Sequence, residues 1–407
     1  MTTIPRVLVI GYCYPPTASP EAFVTAKLLR NIPDCQIDVV TLEDGLVSNF
    51  SDEEMGDYAA GINGEVFKVS PSPLVKRLCR QPRLPLRPDR WLLANHSVRK
   101  KAMELMSRNY DCLITRSQYH SAHLVGLQLK KAFPSLPWIA CFSDPWSESD
   151  HQPHVPLFSS FSRHQEQKVL KQADHLVFPT EGLRKHVTNS DSNTLSKSSV
   201  IPHCYDPQLY KETPKPSDSA RQELRWRIFG SFYGNRQPDI LLDALSKIKI
   251  PESKIVLVEI FGANHEKYNE LNNFNRKYSD RKIIYKGHKP HRPALHLMQE
   301  SDLLIVIDST DQQESFYLPS KIVDYFGSGT PILSICRPGT VQSITIGRGD
   351  HTASIDNIQS ICDTMEKILL NRNSVNSVTL NVKKFSSSIV GAAFKKIILK
   401  NSKEKSK

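Results

Sequence analysis

The chain has 407 residues, too many for one average domain, so two domains of about 150–200 residues are expected. Hydrophobic residues make up 39% and charged residues 23%, which excludes a disordered chain; no apolar run approaches the roughly 20 residues needed to cross a bilayer. The net charge of +11 favours phosphate-bearing partners such as nucleotides or anionic lipid, and no nucleic-acid-binding motif accompanies it.

The eight cysteines are scattered without a CxxC pair, which supports neither a disulfide framework nor a zinc site and fits reduced thiols in a cytoplasmic protein. Much of the positive charge lies in KRLCRQPRLPLRPDR (76–90) and in the C-terminal KKFSSSIVGAAFKKIILKNSKEKSK (383–407). Each is either a solvated surface or a means of peripheral attachment to the inner face of an anionic membrane.

In chain order, VLVIG (7–11) reads as a buried first strand, not a signal peptide, because the apolar run is short and Pro15-Pro16 follow. Ser19-Pro20-Glu21 starts a helix and IDVVTL (37–42) is the next strand, so the chain opens β-loop-α-β, the doubly wound signature. A single Gly11 is no GxGxxG, and a nicotinamide fingerprint is absent. Residues 71–90 are rich in proline and basic residues and read as loop; 91–107 read as a helix. CLITRS (112–117) is a strand ending at Arg116, 120–133 a helix beginning at His120 and His123, and WIACFSDPW (138–146) a strand running out at Asp144 and Trp146. In an open α/β sheet ligands bind beyond the carboxyl ends of the strands, where Gly11, Arg116 and Asp144 all fall.

Residues 207–225 carry three prolines and read as a linker between a domain at 1–206 and a second at 226–380, with 381–407 a basic helix packing back towards the first. The βαβ rhythm restarts after the linker. GSFYGNR (230–236) is a strand-to-helix turn with Gly230, Ser231 and a cation, Arg236. LLIVID (303–308) is a buried strand; after a polar loop, Pro319, Ser320 and Lys321 open a helix that carries Asp324 and stops at Gly327 and Gly329. A helix N-terminus bearing a hydroxyl and a cation suits an anion, although an ordinary βαβ crossover accounts for the segment equally well on its own. Two cations at turns on one edge of one sheet suit a diphosphate, to which arginine offers a fork and lysine a point charge.

Seven segments in order resemble the GT-B glycosyltransferases of the retaining family-4 type: GYCYPPTASPEAF, PDRW, TRSQYHSAHLVGL, FSDPW, IPHCYD, GSFYGNRQPD and LPSKIVDYFGSGTPIL. The resemblance covers nearly the whole chain. It implies two Rossmann-like doubly wound domains facing across a cleft, and transfer of a sugar from a UDP- or GDP-linked donor without a cofactor or metal. It further implies that Arg236 and Lys321 hold the diphosphate beside Gly230, Ser231, Pro319 and Ser320, that Asp324 binds the ribose and that Gly11 approaches the phosphates. Tyr12, Arg116, His120, His123, Asp144 and Trp146 would line the acceptor side, with Asp144 either orienting or deprotonating the acceptor or capping the loop before Trp146. A saccharide or lipid-linked acceptor at the membrane, in capsule or lipopolysaccharide assembly, is the implied partner. One feature departs from the family. The first acid of its E-x7-E pair falls on Phe316, and Glu314 is the nearest substitute; His203 and Cys204 likewise stand where asparagine and glycine are usual. A nucleotide-sugar epimerase and a non-catalytic binding protein on the same fold remain as alternatives.

Overall fold

The computed structural model describes residues 4–81, 84, 86–147, 156–212, 222–232, 238–262, 268–308, 314–370 and 382–403. The chain forms two compact units, Met1–Cys204 joined by Ser387–Lys407, and Tyr205–Ser386. Both are parallel α/β.

The first unit holds a seven-stranded sheet of β1 (Arg6–Gly11), β2 (Gln36–Leu42), β3 (Val66–Val69), β4 (Cys112–Arg116), β5 (Trp138–Cys141), β6 (His175–Phe178) and β7 (Ser198–Val200). Its order is β3-β2-β1-β4-β5-β6-β7, and every pair is parallel. Val7 to Ile10 are wholly buried, as continuous apolar runs must be when helices cover both faces of a parallel sheet. The first crossover helix, Pro20–Arg30, is capped by Ser19, whose hydroxyl accepts the N–H of Ala22. The C-terminal helix Ser387–Lys403 completes this core: Val390, Phe394 and Ile398 pack with Val9, Ile37 and Leu28. Gly391 lets that helix touch the first one, since a Cβ there would overlap the Asn31 carbonyl.

Order differs from the sequence reading where capping outweighs composition. Within the span read as loop, Pro73–Cys79 is a helix whose N-terminus is capped by the Ser72 hydroxyl. The helix expected over 91–107 is instead a 3-10 turn, Arg90–Ala94, followed by Asn95–Leu105.

The second unit holds β8 (Glu223–Phe229), β9 (Ile255–Phe261), β10 (Arg281–Tyr285), β11 (Leu303–Asp308), β12 (Ile332–Cys336) and β13 (His351–Ser354) in the parallel order β10-β9-β8-β11-β12-β13. β8 begins inside the stretch read as linker, of which residues 213–221 lie outside those described. Trp226, Ile260, Ile305, Leu333 and Met365 anchor its core. In each sheet the chain reverses winding once, between β1 and β4 in the first unit and between β8 and β11 in the second. Beyond the carboxyl ends of those strands lie the places where doubly wound folds bind ligands. All eight cysteines are free and buried, and among the described residues no helix is long and apolar enough to cross a membrane.

Candidate functional site

At the switch point of the second unit, β8 runs out into Gly230, whose φ of +114 only glycine adopts without strain. Its N–H donates to the Phe261 carbonyl at 2.8 Å. Gly262, after β9, packs so closely that a Cβ there would come 2.5 Å from the Gly230 carbonyl oxygen. Small residues at both strand ends therefore leave bare backbone on this edge. The other side is the helix Ser320–Ser328, which starts after Pro319 with no side-chain cap. Lys321, in its first turn, brings its Nζ within 3.3 Å of where a Gly230 Cβ would stand. An ammonium thus stands at the glycine turn beside the uncapped start of a helix whose first residue is Ser320, an arrangement that favours an anion.

This helix is fixed from beneath. The Tyr325 hydroxyl accepts the Phe229 N–H at 3.0 Å, and a Cβ on Gly327 would overlap the Tyr210 ring. The Tyr210 hydroxyl donates to the Asp324 carbonyl oxygen at 2.9 Å, while the Asp324 carboxylate lies buried, 3.9 Å from His291 Nε2. Upstream, Ser315 bridges to Gly339 and its hydroxyl donates to the buried Asp308 at 2.5 Å. That anchor sets Glu314 exposed and turns Phe316 into the interior beside Tyr317, ring centroids 4.6 Å apart. Ser231 lies on the same turn as Gly230; Arg236, the second expected cation, lies outside the described residues.

In the first unit, Gly11 and Arg116 are neighbours across the switch point. A Cβ on Gly11 would sit an ordinary 3.8 Å from Arg116, so packing alone does not demand glycine there. Of the residues expected to line this edge, Asp144 is half-exposed, and Gln118 Nε2 donates to its Oδ2 at 3.4 Å. The rest are brought together but buried. Tyr12 donates its hydroxyl to Asn95 at 2.6 Å. His120 stacks on Trp146 with centroids 5.2 Å apart, and His123 lies against Phe142 with its Nδ1 2.8 Å from the Thr115 hydroxyl. Burial pushes His120 down to about 4 and His123 well below its ordinary value, so both rings are neutral near pH 7. Polarity suggested a rim for these side chains, but the first turn of the Ser121–Ala132 helix points them inward, under the Phe142–Trp146 loop.

Two acids that the sequence reading passed over hold this edge together. Asp89, in PDRW, accepts the N–H and hydroxyl of Ser121, both at 2.8 Å, and the Trp91 N–H at 3.0 Å. Glu21 pairs with Arg116 at 3.0 Å in the interior. Burial raises both carboxyls to about 6. The helix-start pattern at Ser19-Pro20-Glu21 was legible, but not the distant partner. A small cavity beside Arg116, Ser143 and His203 has about 20 Å³, room for one water and not for a sugar. Among the described residues no three metal-ligating side chains are grouped.

No protein-family model matches the chain, and no curated protein matches it in sequence. Solved structures do match over nearly the full length. Sucrose-phosphate synthase from Thermosynechococcus elongatus aligns with a TM-score of 0.70 at 12% identity, covering 97% of this chain and 98% of that one. The lipopolysaccharide outer core galactosyltransferase WaaB gives 0.63 at 13% identity, with 97% and 99% covered. HepE of Anabaena, in complex with UDP and glucose, gives 0.60 at 14% identity, with 98% and 97% covered. The chain has the GT-B fold of these structures, two doubly wound Rossmann-like units in one polypeptide.

Proposed function

We propose that the chain is a glycosyltransferase that moves a hexose from a nucleotide-diphosphate sugar to a saccharide or lipid-linked acceptor. The observation that carries this reading is the convergence of Lys321, the uncapped Ser320–Ser328 helix and Gly230 on one turn at the switch point of the second unit. The full-length likeness to structures that include a UDP complex supports it.

The chemistry follows from the charges. The bond between the anomeric carbon and the diphosphate breaks, and its electron pair leaves with the diphosphate. Lys321, Ser320 and the helix N–H groups stabilise the growing negative charge, the largest available gain for such a reaction. In the retaining course proposed here the acceptor hydroxyl attacks from the phosphate's own face and gives its proton to a phosphate oxygen, so a glycoside and a nucleoside diphosphate result. This scheme asks for no metal. Asp324 is assigned to the ribose, Arg236 to the diphosphate with Lys321, and Asp144 to the acceptor hydroxyl. Exposed Arg77, Arg80 and Leu74 in the 72–90 segment fit peripheral contact with an anionic membrane, where a lipid-linked acceptor for capsule or lipopolysaccharide would be met.

Nucleotide sugars and free UDP and GDP, screened by thermal shift, test the donor, since only ligands of the folded state raise the midpoint. Lys321→Ala should abolish the shift and lower turnover by roughly 100-fold or more. Near-normal turnover in that variant refutes the diphosphate assignment, and product formed from the donor alone would make the protein an epimerase instead.

A further inference from the structure

Glu21 reaches well beyond its own helix, which Ser19 caps. It stands in the first turn of Pro20–Arg30, 8% exposed, and uses both carboxylate oxygens. Oε1 accepts from Arg116 Nη2 at 3.0 Å and from the Thr25 hydroxyl at 3.2 Å; Oε2 accepts from the Ser143 hydroxyl at 2.8 Å. Ser143 is also held by Ser117: its N–H donates to the Ser117 hydroxyl at 3.0 Å, and its one hydroxyl proton is shared between Glu21 Oε2 and the Ser117 carbonyl oxygen at 2.7 Å. One carboxylate therefore ties together the first helix, the end of β4 and the loop after β5, which meet at the switch point. The residue after Ser143 is Asp144, the half-exposed acid on this edge.

The charge matters as well as the shape. The Arg116 guanidinium is buried, its Nε already donating to Thr25 at 2.9 Å, and Glu21 is the acid it pairs with. A neutral amide at position 21 keeps one acceptor but turns a second set of N–H donors towards Arg116 or Ser143, and leaves the guanidinium without a counter-charge. Aspartate is one methylene shorter and cannot span both partners.

We propose that Glu21 is a positioning residue for the acceptor side: by bonding Arg116 and Ser143 together it fixes the turn that presents Asp144 at the switch-point edge. The proposal rests on the glycosyltransferase reading only for what Asp144 does, not for how it is held. Burial raises the Glu21 carboxyl to about 6, so near pH 7.5 it carries the charge that Arg116 and Ser143 address. The groups facing Glu21 are Arg116, Ser143 and Thr25, with Asp144 close enough to raise its pKa; the Cys13 and Cys141 thiols nearby are pushed up to about 12 and stay neutral.

Trp146, three residues beyond Ser143 and buried, reports on the loop. Its emission is isolated as the difference between each chain and its Trp146→Phe counterpart at pH 7.5. Glu21→Gln and Ser143→Ala, the second of which leaves the buried Glu21–Arg116 pair intact, should both be red-shifted, and Glu21→Asp should recover the wild-type emission only in part. UDP affinity at pH 7.5 should stay within about twofold of wild type, while kcat with the donor found in the screen falls on the order of 100-fold, the scale of a misplaced reacting group. An unchanged Trp146 emission and kcat in Glu21→Gln overturns the proposal, and so do wild-type emission and kcat in a folded Ser143→Ala. Absent UDP binding in the wild type would refute the donor reading and leave the fluorescence result to judge the latch alone.

Discussion

Acidification from pH 8 to 5.5 should destabilise the first unit. Four of its histidines are buried and held neutral: His120 and His175 are pushed down to about 4 by burial, His203 to about 3, and His123 well below its ordinary value. In the unfolded chain each titrates near 6.5, so at pH 5.5 the unfolded imidazole has taken up its proton and the folded one has not. That difference costs about 1.4 kcal/mol per histidine, or about 4 kcal/mol for His120, His175 and His203 together, with His123 adding in the same direction. Stability from a depressed pKa is present above the unfolded value and is lost as the pH falls through it. Two buried carboxyls act the other way. Glu21 and Asp89, raised to about 6, bind protons in the folded state before the unfolded one does. Each returns about 0.8 kcal/mol over the same interval. The histidines win by about 2.5 kcal/mol, before His123 is counted, which for a unit of this size lowers Tm by roughly 5–10 °C. Scanning calorimetry of the full chain at both pH values and constant ionic strength measures it, and the transition whose pH dependence weakens in His175→Gln belongs to this unit. A midpoint at pH 5.5 equal to or above that at pH 8 would refute the assignment of these rings as buried and neutral.

Two further outcomes follow from packing. Gly262→Ala places a Cβ 2.5 Å from the Gly230 carbonyl, so it should displace the glycine turn and weaken UDP binding by tenfold or more, on the order of the loss when one donor to a phosphate is misplaced, with circular dichroism unchanged. Phe394→Ala removes a wholly buried ring that the C-terminal helix contributes to the first unit's core; it should cost about 3–5 kcal/mol in urea unfolding, and a loss below about 1 kcal/mol would mean the helix is not part of that core.

The sequence by itself determined the fold class and the helix start at Pro319-Ser320-Lys321, because both are written in local patterns. Buried runs such as Val7–Ile10 and Leu303–Ile307 admit only parallel strands covered on both faces, and Pro319-Ser320-Lys321 followed by helical spacing and Gly329 marks a helix with an open start. Even the place of Gly11, Arg116 and Asp144 at strand ends followed from the βαβ rhythm. What only the tertiary structure decided is which side chains face solvent and which distant ones they meet. His120, His123, Tyr12 and Trp146 carry polar atoms and sit near strand ends, yet the turn into the Ser121–Ala132 helix and the loop after β5 enclose them. Glu21 and Arg116 are 95 positions apart, and Glu21 and Ser143 are 122 apart, so no local period could pair them. Lys321 reaching the Gly230 turn is of the same kind: each end was legible, but the Lys321 Nζ comes within 3.3 Å of where a Gly230 Cβ would stand because β8 and β11 are neighbours in the sheet. Local pattern is set by backbone sterics and burial, whereas such meetings are set by strand order, which the chain settles only when the whole core closes.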